Sequence, residues 1–487
     1  MLLNINNKKT KVVCTIGPAT DNYESVLALY KAGMNVMRIN FSHGVYEEHM
    51  KKIAIRDRLQ EEEGIYLPWA LDTKGPEIRT GYMENGQIEV KEHQKMRITM
   101  DASFLGNKAK FATSYKGLYD DVNIGDRLLI DDGNLEFKVT GKDPSKKELL
   151  VVAMNNHVLK DQKGINAPVS KLQMPFISKK DAADVAFGCS HGADMIFASF
   201  TRRPEDVLAL KKICAKNGRP DMPIFVKIEN PEGVEKFEEI IKVADGAMVA
   251  RGDLGVEIPP EEVPVVQRRM IRLCRVYGKP VIVATQMLDS MVTHPRPTRA
   301  EVGDVATAIA ESSDCIMLSA ETASGKYPVE AVEMMTKIST SQEKLLDYER
   351  LADESFASSE HTNNDAIANA SVRMAMLIGA KLIVNFTETG KSTIRISKAR
   401  PICPIVSVTN RLKTARESAA QWGVYSVLIK TPMPDFVEEM EVLALKIARA
   451  LHIKAGEPIL LTGGTPTGAG QTNFLRILNV NSVKELE

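Results

Sequence analysis

Eight short apolar runs, most of them followed by a longer amphipathic stretch, frame what this chain can fold into. They lie at residues 12–16, 36–40, 67–72, 195–200, 225–229, 246–250, 281–285 and 315–319. Apolar runs this short, bounded by turn and helix signals, read as strands buried on both faces, and the stretches between them as crossover helices. Pro204-Glu205-Asp206 and Pro231-Glu232 open two such helices, because proline fits the first helical position. Segments 46–63, 261–277 and 298–311 carry the helical period in others. Eight parallel strands suffice to close a barrel, so the predicted class is α/β with a (β/α)8 TIM barrel.

The alternation breaks after the third run. From about Pro76 to Pro175, segments 87–90, 97–100, 127–130 and 135–140 alternate in hydropathy between Asn-Gly, Gly-Asp and Asp-Gly pairs. That is the texture of an all-β module with tight turns. It grows from the carboxyl-end face of the barrel, where a small domain can act as a lid that excludes water. After the eighth run, a helix is expected from Pro328 to about Arg350, with the Ser-, Glu- and Asn-rich stretch 351–364 as a connection. Strands at 381–386, 405–409, 425–429, 458–461 and 474–480 then make an open α/β sheet. The expected domains are a barrel over 1–75 and 172–341, an inserted β-barrel lid over 76–171, and a C-terminal regulatory domain over 342–487.

Charge narrows the function classes. The chain carries 63 basic and 63 acidic residues, which leaves no global field for nucleic acid or an anionic membrane. No apolar stretch reaches the roughly 18 residues of a membrane span, and the first nine residues lack the apolar core of a signal peptide. Six cysteines without a CxxC pair read as reduced core residues of a cytoplasmic protein.

Active sites of such barrels form where strands end. In Ile224-Phe225-Val226-Lys227-Ile228-Glu229-Asn230, Lys227 and Glu229 fall two apart and so share a face. The second run supplies Arg38, Asn40, Ser42 and His43, and the third Asp72, Thr73 and Lys74 with Glu77 and Arg79 behind. Arg251 and Asp253 follow the sixth run, Thr285 ends the seventh, and Ser319, Glu321 and Thr322 end the eighth. Glu229 and Asp253 offer hard oxygen ligands suited to Mg²⁺ or Mn²⁺, while the absence of HExxH or a thiolate cluster argues against zinc. Arg38, Arg79 and Lys227 are surplus cations that would neutralise a phosphoryl group in transfer. Asn40, Ser42, Asp72 and Thr73 gather oxygens that would suit a monovalent cation, or simply each other's hydrogen bonds.

Two glycine-rich loops mark the last domain. Thr387-Glu388-Thr389-Gly390-Lys391-Ser392-Thr393 lies between a strand and a helix, so its N–H groups and hydroxyls could cradle phosphate. It is not a Walker A loop, because Asn385 stands where the first glycine should be. The second loop is Gly463-Gly464-Thr465-Pro466-Thr467-Gly468-Ala469-Gly470. Ordinary turns would also account for both. A phosphate site this far from the barrel mouth suits an effector better than a substrate.

Several stretches, in order, resemble the pyruvate kinase family over nearly the whole chain. They are Met37-Arg38-Ile39-Asn40-Phe41-Ser42-His43-Gly44, Leu71-Asp72-Thr73-Lys74-Gly75-Pro76-Glu77-Ile78-Arg79-Thr80-Gly81, Val226-Lys227-Ile228-Glu229-Asn230, Ala250-Arg251-Gly252-Asp253-Leu254-Gly255-Val256-Glu257, Ala284-Thr285-Gln286-Met287-Leu288 and Pro297-Thr298-Arg299-Ala300-Glu301. The resemblance implies transfer of the phosphoryl group of phosphoenolpyruvate to ADP, yielding pyruvate and ATP at the end of glycolysis. It implies that Lys227 stabilises the phosphoryl group in flight, that Glu229 and Asp253 hold Mg²⁺, and that a second Mg²⁺ travels with the nucleotide. Arg38, Lys227, Gly252, Asp253 and Thr285 would contact substrate; Arg38, Asn40, His43 and Arg79 would face the nucleotide. Thr285 would also support enolate protonation through water.

By the same resemblance, Asn40, Ser42, Asp72 and Thr73 match K⁺ ligands, and Glu77 stands where Glu accompanies K⁺ dependence and Lys accompanies independence. Thr387, Thr389, Gly390, Lys391, Ser392 and Thr393 match a loop for a phosphorylated effector, and the family is usually tetrameric. Departures are Asp289 for the usual Glu, Ala320 and Ser324 where Gly and Lys are common, Ser312-Ser313 where many members have Asp-Gly, and a less Gly-rich run at 155–159. A Mg²⁺-dependent lyase or mutase would share the metal carboxylates but gain nothing from the lid, Arg38 and Arg79. A non-catalytic metabolite sensor would be expected to have lost part of the set formed by Lys227, Glu229, Asp253 and Thr285.

Overall fold

The computed structural model describes residues 8–468 and 470–481. Eight parallel strands close a barrel in chain order: Lys11–Thr15, Val36–Asn40, Trp69–Asp72, Met195–Ala198, Ile224–Ile228, Gly246–Ala250, Val281–Ala284 and Cys315–Leu318. Alternate residues split between two cores. Val13, Val36, Phe197, Phe225, Met248 and Met317 fill the barrel interior, while Val12, Ile39, Leu71, Val226 and Val283 pack outward on the helices. All eight expected strands are present, each within two residues of its expected bounds. The interior is closed at the floor by Ala420 of the C-terminal domain, whose carbonyl accepts from Cys315 Sγ.

Capping at the strand ends sets the start of the following helices. The Asn230 side chain accepts from Gly233 N and caps Pro231–Glu235; Thr298 and Glu301 form a reciprocal capping box on Arg299–Ala310. A cap of this kind contributes about 1 kcal/mol. Two short helices escaped the sequence pattern: Arg251–Glu257, which begins directly after its strand, and Ala320–Ala323, which begins one residue after its own. Asp253 thus lies in the first turn of a helix rather than in a turn.

Between the third strand and helix Lys179–Ser190 rises the β module. A six-stranded sheet runs in the order Ile165–Asn166, Arg127–Ile130, Leu135–Asp143, Glu148–Ala153, Lys95–Thr99, Lys110–Ala112, beside the pair Gln87–Val90 and His157–Lys160. Phe111, Phe137 and Leu149 centre its own core.

The expected helix from 328 to 350 is broken. Pro328–Gln342 ends in a 3-10 turn at Glu343–Leu345, and a separate helix occupies Tyr348–Ala357, within the stretch expected to be a connection. The cause is Glu343, which turns inward, 2 % exposed, to accept from the backbone N–H groups of Lys9 and Thr10. Asp347 then caps the new helix through Arg350 N. The C-terminal sheet is open and five-stranded, Val424–Leu428, Ile405–Thr409, Ile383–Phe386, Pro458–Gly463, Phe474–Asn479, with only the last strand antiparallel. All six cysteines are free and buried. Among the described residues no helix is long and apolar enough to cross a membrane.

Candidate active site

Strand ends three to five meet at Lys227. Its Nζ lies 3.2 Å from Asp72 Oδ1, 3.0 Å from Glu229 Oε1 and 2.8 Å from Ser199 Oγ. Burial alone would drive off its proton, but Asp72 and Glu229 outweigh burial and raise its pKa, so the side chain stays an ammonium. Asp72 is 1 % exposed and takes a second cation, Arg38 Nε, at 2.5 Å. Those two cations overcome burial and hold the Asp72 carboxyl below its ordinary range. Arg38 is aimed from its other edge by Thr15 Oγ1, 2.7 Å from Nη1.

Glu229 faces a different balance. Its Oε2 accepts from Phe200 N at 2.6 Å. Burial, reinforced by the charge of Asp253, outweighs Lys227 and pushes its carboxyl up to about 7. The charge of Asp253 beside Glu229 is a disadvantage that a divalent cation would remove. Hard carboxylate oxygens such as these are the ligand type that Mg²⁺ or Mn²⁺ takes. Among the described residues no group of three or more His, Cys, Asp or Glu is placed to hold a metal.

The seventh strand ends in strain. Thr285 holds φ +72°, a conformation that is a true outlier for a β-branched residue. Three contacts enforce it: Gly252 N donates to Thr285 Oγ1 at 2.7 Å, that hydroxyl donates to Ala284 O at 2.6 Å, and Arg251 Nη2 donates to Thr285 O at 2.9 Å. Arg251 is itself anchored on Asp304 at 2.6 Å, which makes it a strap for the Thr285 turn. Glu321 and Thr322 also serve the frame: Glu321 accepts from Ser319 N and Leu288 N, and Thr322 Oγ1 donates to Thr15 O.

The remaining sequence candidates divide. Asn40 and Asp72 are register partners on adjacent strands, with Asn40 Oδ1 accepting from Ser42 N at 3.0 Å. Thr73 hangs beside them, its Oγ1 accepting from Ser199 N and its carbonyl from Ser199 Oγ. Arg79 stands apart: its guanidinium pairs with Glu77 at 2.6 Å and reaches the lid through Gln162 O at 2.8 Å. His43 is exposed. The residue the sequence argument passed over is Ser199, which bridges Lys227, Asp72 and Thr73. Its signal was available, since the fourth apolar run also ends in polar residues, Ser199 and Thr201.

A cleft of about 260 Å³ runs from Asp253 and Asn230 on the barrel to Glu77 and Asn166 at the root of the lid. Asn166 Nδ2 donates to Glu257 Oε1 at 2.6 Å across it. In the last domain, the loops around 387–393 and 463–470 come together on one cavity of about 310 Å³; Ala469 lies outside the described residues. Gly390 holds φ +77° at the start of helix Lys391–Lys398, with its N–H on Thr387 Oγ1. Ser392 and Thr393 turn their hydroxyls to Asn385, while Thr389 and Lys391 line the cavity.

Known proteins resemble this chain in sequence and fold. A family model described as Pyruvate kinase, barrel domain, matches residues 7–332, and one described as Pyruvate kinase, alpha/beta domain, matches residues 365–478. A curated pyruvate kinase of Geobacillus stearothermophilus is 44 % identical over 472 residues, covering 96 % of this chain and 80 % of its own. One of Clostridium acetobutylicum is 40 % identical over 474 residues, covering 96 % and 99 %. A crystal structure of a pyruvate kinase from Cryptosporidium parvum superposes with TM-score 0.91 at 37 % identity, covering 99 % of this chain and 98 % of that one. With both family models matched in order and relatives aligned almost end to end, the chain belongs to the pyruvate kinase family.

Proposed function

We propose that the barrel mouth moves the phosphoryl group of phosphoenolpyruvate to ADP, releasing pyruvate and ATP as the last step of glycolysis, with Lys227 as the group that meets the charge developing on the phosphoryl oxygens. One observation carries this reading: a buried ammonium, kept charged by Asp72 and Glu229, at the point where three strand ends converge under the lid. Phosphoryl transfer requires little covalent help from a protein and much fixed positive charge. Mg²⁺ on Glu229 and Asp253 supplies, when bound, the charge that orients substrate oxygens. Lys227 and Arg38 hold the anionic phosphoryl group from the barrel side. The Thr285 turn, locked by Gly252 and Arg251, shapes the carboxylate end and positions the water that protonates the enolate. The Asn166–Glu257 bond helps seat the lid and exclude bulk water.

K⁺ at Asn40, Ser42, Asp72 and Thr73 belongs to the same reading, as do nucleotide contacts from Arg38, Asn40, His43 and Arg79. So do the domain limits 1–75 with 172–341, 76–171 and 342–487, a cytoplasmic homotetramer, and a phosphorylated activator on Thr387, Thr389, Gly390, Lys391, Ser392 and Thr393. The cavity shared by the two glycine-rich loops supports that last assignment.

The test is a coupled assay of pyruvate formation with and without ADP. The wild type is expected to depend strictly on ADP and a divalent cation. Lys227→Met is expected to fold and to lose about a thousandfold or more in kcat. Near-normal turnover in that variant would remove the role given to Lys227.

A further inference from the structure

A second basic site lies far from the barrel mouth. Helix Val263–Val276 presents Arg268, Arg272 and Arg275 at helical spacing toward a cavity of about 650 Å³, which Arg350 and Lys398 close from the C-terminal domain. Five cations there face two carboxylates, Glu311 and Glu354. The carboxylates are already committed: Arg268 pairs with Glu311 at 3.0 Å, and Glu354 is shared between Arg275, at 2.9 Å, and Arg350. Arg272 makes no hydrogen bond or ion pair among the described residues. Clustering like charges in this way costs stability unless an anion joins them.

Two further groups in the cavity wall lack partners. Arg275, with a side chain 11 % exposed, buries its Nε without an acceptor, and Ser312 buries its hydroxyl without one. Buried donors in folded proteins are ordinarily satisfied, so orphans on a cavity wall mark where a ligand oxygen fits. Ser312 also holds φ +69°, a conformation glycine adopts freely. Val276, Ala310 and Ala357 supply the apolar part of the lining. Arginine forks match phosphate oxygens two at a time.

We propose that the cleft between helix Val263–Val276 and helix Tyr348–Ala357 binds a small metabolite carrying two or more phosphate charges, at a site distinct from the barrel mouth and from the 387–393 loop. Its location joins barrel to C-terminal domain, so an occupant bridges the two.

Tripolyphosphate titrated calorimetrically into the full chain, with divalent cations chelated, tests this. Arg272 is exposed and unpartnered, so Arg272→Glu should melt as the wild type does. The variant is expected to lose one equivalent of tripolyphosphate per chain, its affinity falling about tenfold or more, as expected for a lost charge-assisted contact. Arg268→Ala combined with Arg272→Ala should do the same. Wild-type stoichiometry with any smaller loss of affinity in both variants would overturn the site.

Discussion

Lys227 and Glu229, two residues apart where the fifth strand ends, meet at 3.0 Å although each is almost wholly buried. The pair is not self-contained. Asp72 draws the ammonium the other way at 3.2 Å, and Ser199, from the strand end between them, holds it at 2.8 Å. An ion pair with no further task would let the two side chains neutralise one another. Here the ammonium is suspended between two carboxylates, and one of those, Glu229, stays short of positive charge.

Ser199 is therefore expected to act through Lys227 as a positioning residue. Ser199→Ala removes the hydroxyl that bonds Lys227, Asp72 and Thr73; loss of the bond to the Lys227 ammonium alone is worth about 1.5 kcal/mol, or roughly tenfold. The loss should appear in kcat with the KM for phosphoenolpyruvate little changed, and melting temperature should hold. An equal rise in KM with kcat intact would show that Ser199 serves substrate binding instead.

Monovalent cation should matter. Glu77 sits at the lid root, paired with Arg79 at 2.6 Å. Replacing K⁺ with tetramethylammonium is expected to lower turnover about tenfold or more, and Glu77→Lys to abolish that dependence by supplying a fixed cation. Full activity of the wild type without any small monovalent cation would refute this.

The lid contact should respond to pH. Burial, which outweighs the hydrogen bond from Asn166, pushes the Glu257 carboxyl up to about 7, and the charge of Asp253 adds to the rise. An unfolded glutamate titrates near 4.3, so the folded state favours the protonated form. Its contribution to stability is complete below about pH 4 and is lost as pH rises through 7. Glu257→Gln keeps an acceptor for Asn166 and cannot ionise. With metal chelated, the variant is expected to match the wild type near pH 4.5 and to exceed it by about 1–3 kcal/mol at pH 8. Parallel melting profiles across that range would contradict the burial of Glu257.

The barrel was legible because each strand is buried on both faces and therefore reads as an unbroken apolar run, as in Ile224–Ile228 and Gly246–Ala250. The lid was read only in part. Lys110–Ala112 is only three residues long, and His157–Lys160 buries only Leu159, so little separates them from loop. The break at Glu343 was invisible, since a buried glutamate inside a helical pattern looks like any exposed one until Lys9 and Thr10 arrive from the far end of the chain. Lys227, Glu229, Asp72 and Arg38 announced themselves as charges where strands end. Ser199 ends the fourth run in the same way, with Thr201 close behind, but it carries no charge to single it out. Arg79, expected among the phosphoryl cations, pairs with Glu77 and donates to the carbonyl of Gln162.

The most direct measurement is Mn²⁺ binding, followed by electron paramagnetic resonance, in the wild type, Glu229→Gln and Asp253→Asn, without substrate. One site per chain is expected in the wild type, weakened about tenfold or more in each variant, because each removes one of two carboxylate ligands. Unchanged stoichiometry and affinity in both variants would contradict a shared metal beside Lys227.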